Sequence, residues 1–134
     1  MLQTYNDLEQ SLAAGSNVVF GSNTIQRGFT VTHIAGDTDI KLNVPGIYKI
    51  EFDAVVTGTD PVILTLYNNG NEVPGAMAET TPQSATDLRS VSFTTLLRIP
   101  RSCCIVNNDG NLNIRTTNEV QINHANLVVT RISN

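Results

Sequence analysis

The chain has 134 residues, 40% hydrophobic and 15% charged, with twelve acids against eight bases and a net charge of -4. At this length one core can bury roughly 65–70% of the unfolded surface, so a single domain is expected, and the composition excludes a solvated disordered tail. The acidic balance argues against nucleic acid as a partner, because displacing its counterions needs a basic footprint.

Val, Ile and Thr supply 40 of the residues, the set that packs best on a pleated surface. No apolar run approaches the roughly 18–20 residues that span a bilayer, so membrane insertion is not expected. The first twenty residues, MLQTYNDLEQSLAAGSNVVF, lack the basic start and apolar centre of a secretory signal. The chain is therefore expected to stay where it is made, to leave by lysis, or to be part of a longer protein.

Residues 1–15 form an N-terminal arm or short helix in this reading, with modest helical character from Asp7 to Ala14. Short strands are expected at Val18–Phe20, Phe29–His33 and Asp39–Leu42. From Gly46 to Gly58 the pattern alternates cleanly: Tyr48, Ile50, Phe52, Ala54 and Val56 share one face, and Lys49, Glu51 and Asp53 the other. That is a half-buried antiparallel strand. Val62 to Asn68 follows and ends in Asn69-Gly70, a strong hairpin signal. Residues 74–87 read as a long exposed crossing.

Leu88 to Ile99 is a further strand, closed by Pro100, which offers no donor to a ladder. Strands are also expected at Cys103–Val106, at Leu112–Thr116 beyond the Asp109-Gly110 turn, and at Ala125–Ile132. Adjacent Cys103 and Cys104 point to opposite faces of a strand, so a disulfide between them would need a strained turn. The core is expected to set the Tyr48–Val56 face against Leu64, Leu66, Val91, Phe93 and Leu97. Eight to ten short strands over residues 16–134 predict an all-β fold, a two-sheet antiparallel jelly-roll sandwich.

Several segments then resemble a known family together. GIYKIEFDAVVTG followed by VILTLYNNGNEVPG, introduced by DTDIKLNVPG, resembles the trimeric jelly rolls related to tumour necrosis factor and the complement globular head. SVSFTTLLRIP, SCCIVNN, NLNIRTT and ANLVVTRIS resemble the closing strands of its bacterial and phage branch, which includes C-terminal domains of spore-surface collagen-like glycoproteins and phage structural proteins. Two departures stand out. Pro100-Arg101 replaces the Gly-Asp turn of that branch, and the collagen-like stem is absent.

The resemblance implies a homotrimer that displays no enzyme activity and serves as a structural or attachment module on a virion surface. A head fibre, capsid decoration or tail-associated protein fits, with other virion proteins as partners. A spore-surface or cell-surface adhesion domain cut from a collagen-like protein is the alternative. A small sugar-processing enzyme on a jelly-roll scaffold is a third reading, and it would need convergent acids or a metal.

Chemistry is thinly provided for. His33 and His124 each sit in strand-like segments without a nucleophile elbow. Asp37-Thr38-Asp39 offers two carboxylates to a hard cation but lacks the remaining loop ligands, and it reads equally as a Gly/Asp turn. No catalytic residue, cofactor or metal is assigned. Glu51 and Asp53 read as a solvated face with Lys49.

Asn68, Asn69, Asn71, Asn108 and Asn111 could form a recognition loop for a host-surface glycan, since amides both donate and accept. The same residues equally serve tight turns that visit the left-handed region. For the trimer interface the candidates are Ile63, Thr65 and Tyr67 with Val128 and Ile132. They stand opposite the core residues of doubly apolar strands, and a two-sheet monomer buries only one face of each sheet.

Overall fold

The computed structural model describes residues 1–101 and 110–134, and among these every regular element is a β-strand. In chain order they are β1 (Leu2–Asn6), β2 (Gln10–Leu12), β3 (Ser22–Gln26), β4 (Val31–Thr32), β5 (Ile40–Leu42), β6 (Gly46–Thr57), β7 (Val62–Asn68), β8 (Asn71–Thr80), β9 (Arg89–Ile99), β10 (Gly110–Thr116) and β11 (Val120–Ser133). One sheet runs β3-β1-β11-β6-β9, with β2 also on β11, and the second runs β4-β5-β10-β7-β8. The pairings are antiparallel, and the two sheets enclose one core. This is the expected jelly-roll sandwich.

β6 shows why the sequence folds this way. Tyr48, Ile50, Phe52, Ala54 and Val56 are all buried, while Lys49 and Asp53 between them are exposed. Phe52 lies opposite Phe93 on β9 and opposite Leu127 on β11, so three strands put apolar side chains on one face. Leu64 and Leu66 face them from the second sheet and are fully buried. One expectation needs correcting: Val91, Phe93 and Leu97 lie not across from this face but beside it, on the neighbouring strand. Register with β6 decides that, because paired residues share a side of the sheet.

The N-terminus departs most from expectation. No helix forms in residues 1–15: β1 sits between β3 and β11, and β2 pairs Leu12 with Val120. Leu2 and Thr4 are buried by alternation, a pattern too short to read from five residues with only one strong hydrophobe in the inward row. Val18–Phe20 is not a strand either. Asn17 makes a single bridge to Arg115, Val18 donates its amide to Ile114 O at 2.8 Å, and Val18 and Phe20 are buried by packing.

The expected crossing at residues 74–87 is shorter than read, because β8 continues to Thr80. Pro74 and Gly75 (φ 78°) occupy a bulge between the pairs Tyr67–Glu72 and Thr65–Met77. β8 is the edge of its sheet, where a missing donor and an extra residue are tolerated. The rest of the crossing is held by the Asp87 carboxylate, which accepts from the Gln83 amide at 2.8 Å and from Arg89 at 2.9 Å. The Arg89 hydrogen bond holds that carboxyl below the usual carboxylate range. The expected strand at Cys103–Val106, with both cysteines, Asn108 and the Asp109 turn, lies outside the described residues.

Candidate functional site

The interface candidates divide between opposite faces of the sandwich. Val128 points outward from the first sheet, opposite Glu51 and Gln3. Ile132 is the extra residue of a bulge between Arg131 and Ser133, and it is 52% exposed. Leu96, outward on β9 opposite Lys49, is 61% exposed, and Ile25 on β3 is also exposed. Periodicity missed Leu96 because Leu97 beside it carries the inward position. The first sheet therefore presents a broad outer face on which Ile25, Val128, Leu96 and Ile132 stand among polar residues. Lys49 and Glu51 pair there at 3.0 Å, and Asn126 donates to Asp53 at 3.2 Å.

Ile63, Thr65 and Tyr67 point outward from the second sheet. Thr65 is already covered within the chain. It lies opposite Arg115, whose guanidinium sits 4.2 Å from the centre of the Tyr67 ring, a cation–π contact that no sequence motif announces. The Tyr67 hydroxyl donates to Glu72 at 3.3 Å.

The asparagine candidates gather at the β7–β8 turn. Asn69 takes φ 52° and Gly70 φ 82°, as a tight hairpin requires. Asn68 Oδ1 accepts from the Asn111 amide at 3.2 Å, Asn69 donates its amide to Asn111 O at 2.9 Å, and Asn71 lies opposite Asn68. The structure thus brings Asn68, Asn69, Asn71 and Asn111 together, with part of their hydrogen-bonding capacity spent on the turn itself.

The two histidines are far from equivalent. His124 Nδ1 meets Asp7 Oδ1 at 2.6 Å on an exposed surface. His33 is buried, edge-on to Phe20, and lines a cleft of about 190 Å³ with Gln26, Thr32, Ile34, Asp37, Asp39 and Lys41. Asp37 Oδ1 accepts from the amides of Thr38 and Asp39, which is turn geometry. No group of three or more His, Cys, Asp or Glu side chains suited to a metal occurs among the described residues. A larger cleft, about 440 Å³, lies between Pro45–Ile47, Arg98–Ile99, Arg101 and Asn134.

No family model and no curated protein sequence matches the chain. Solved structures do. The globular domain of the zebrafish complement 1qA protein is 12% identical, with 95% of this chain and 94% of that one covered at a TM-score of 0.65. The Eiger tumour necrosis factor of S. frugiperda is 9% identical, covering 99% and 93%, also at 0.65. The vertex protein P5 of the phage PRD1 is 14% identical, covering 94% and 93%, at 0.53. The chain has the jelly-roll fold of tumour necrosis factor and the complement globular head, a fold shared by a phage vertex protein.

Proposed function

We propose that the chain is a non-enzymatic homotrimeric structural and attachment module of a phage virion, such as a head fibre, capsid decoration or tail-associated protein. The carrying observation is the outer face of the first sheet, where Ile25, Leu96 and Ile132 are exposed and Val128 is half-buried. Several exposed apolar side chains on one sheet face, interleaved with polar ones, suit a contact surface with a second copy.

A closed ring needs two different patches set at an angle, whereas patches on opposite faces of a sandwich would build an open stack. The partner patch is therefore an edge of the neighbouring copy. Edges β8 and β9 lie against each other, and Leu88, just ahead of β9, is exposed there. In this arrangement Ile63, Thr65 and Tyr67 stay on the outside of the ring, and the turn carrying Asn68, Asn69 and Asn71, with Asn111 of β10 beside it, is the surface offered to a host-surface glycan. The likeness to the PRD1 vertex protein supports the virion reading.

Two measurements test this. Leu96→Asp and Ile132→Asp are expected to convert a three-chain particle in light scattering into one chain with unchanged circular dichroism. Antibodies to the protein are expected to label intact phage particles released by lysis of the encoding strain. Unchanged mass in both variants would overturn the interface, and unlabelled particles would overturn the virion role.

A further inference from the structure

His33 is 4% exposed, and its ring meets only acceptors. Nδ1 lies 2.5 Å from Asn23 Oδ1. The orientation of that amide is fixed, because Asn23 Nδ2 donates to His33 O at 2.8 Å. Thr4 Oγ1 lies 3.4 Å from Nδ1, and its own hydrogen is committed to Ser22 O at 2.8 Å. On the other side of the ring, Nε2 lies 2.9 Å from the carbonyl oxygen of Asp37.

A neutral imidazole carries one N–H, so one of its nitrogens would turn a lone pair towards an oxygen lone pair. The ring that carries both protons satisfies every contact. We infer that His33 is a proton-dependent clasp: doubly protonated, it ties the 34–39 loop to β1 and β3, and loss of one proton releases that loop.

The surroundings fit this device. β1 faces the ring with Thr4, β3 with Asn23, and the segment before β3 with the edge of Phe20, all neutral. The charged side chains lining its cleft are Asp37, Asp39 and Lys41, two acids against one base. Asp37 itself belongs to the loop being held. The loop is also tied by the backbone bond from Gly36 N to Phe20 O at 2.8 Å and, at its far end, by Asn113 Nδ2, which donates to Asp39 Oδ1 at 3.4 Å; Asp37 N to Ile34 O at 2.9 Å closes the loop on itself. Breaking the Nε2 contact therefore removes the side-chain anchor at the Gly36–Asp37 end of the loop, while the Asp39 end stays tied to Asn113. The sign follows from linkage: the closed form binds the extra proton, so closure is complete at low pH and is lost as pH rises through the ring's transition.

The test is a ¹⁵N-histidine spectrum of the intact protein with amide exchange, both followed from pH 5 to 9. Below the transition both ring nitrogens of His33 should report as protonated. Above it, the protection of the Gly36 and Asp37 amides should fall about tenfold per pH unit, as release of one proton requires. Asn23→Asp, which places a carboxylate on Nδ1, should move both changes together to higher pH, and His33→Phe should abolish the pH dependence of protection. A His33 ring that stays singly protonated throughout, or loop protection indifferent to pH in the parent, would overturn the clasp. Should His33→Phe fail to fold, the parent spectrum and Asn23→Asp still decide.

Discussion

Phe52 and Phe93 stand opposite one another on adjacent strands with ring centres 5.4 Å apart and planes tilted by 33°. Phe20 meets the same Phe52 ring edge-on at 6.4 Å. A residue from outside the regular strands thus closes an aromatic cluster begun by two that are in register. Removing the central ring leaves a cavity bordered by two others, so Phe52→Ala should lose about 3–5 kcal/mol of stability. Urea unfolding measures it, and a midpoint equal to the parent's would contradict the assignment of strand faces.

Gly46 opens β6 at φ 150°, and a Cβ there would lie 2.5 Å from Ser133 O and 2.6 Å from Arg131 Nε. Arg131 in turn donates to Pro45 O at 2.6 and 3.0 Å. Gly46→Ala must therefore displace the end of β11 or the Pro45 turn, at a cost of about 1–3 kcal/mol. The same unfolding experiment tests this; an unshifted midpoint would show that the end of β11 yields freely.

Tyr48 is buried and donates its hydroxyl hydrogen to Val44 O at 2.6 Å. Burial pushes its ionisation above the ordinary tyrosine value, against smaller opposing effects of the Val44 bond and Arg131. The folded form then keeps a proton that the unfolded form releases. This contribution is fully present below about pH 10 and is lost as pH rises beyond it. Tyr48→Phe should cost about 1 kcal/mol at neutral pH, from the lost hydrogen bond. It should also flatten the alkaline fall in stability. Parallel curves for parent and variant above pH 10 would contradict it.

How much of this was legible in the sequence depends on strand length. β6, β7, β9 and the end of β11 carry enough alternating positions for the period to stand out, and Val62–Asn68 forms with the predicted bounds. β1, β2 and β3 are three to five residues long. Their inward rows include Thr4 and Asn6, which packing buries although their chemistry does not demand it. Pro74-Gly75 misled for a related reason: breaker residues mark turns on average, but at a sheet edge they make a bulge within a continuing strand. The interface candidates were named by alternation alone, which separates two faces of a strand but cannot tell which sheet the strand joins. That is why Ile63 and Val128 fall on opposite sides of the molecule. His33 carried no motif at all, since its partners Thr4, Asn23 and Asp37 converge only in the fold.

The central claim is that three copies close around the first sheet's outer face, and sedimentation equilibrium of the unmodified chain tests it most directly. The account predicts the mass of three chains, unchanged across micromolar concentrations, with Leu96→Asp reduced to one chain. A parent that sediments as a single 14.5 kDa chain over the same range would contradict it.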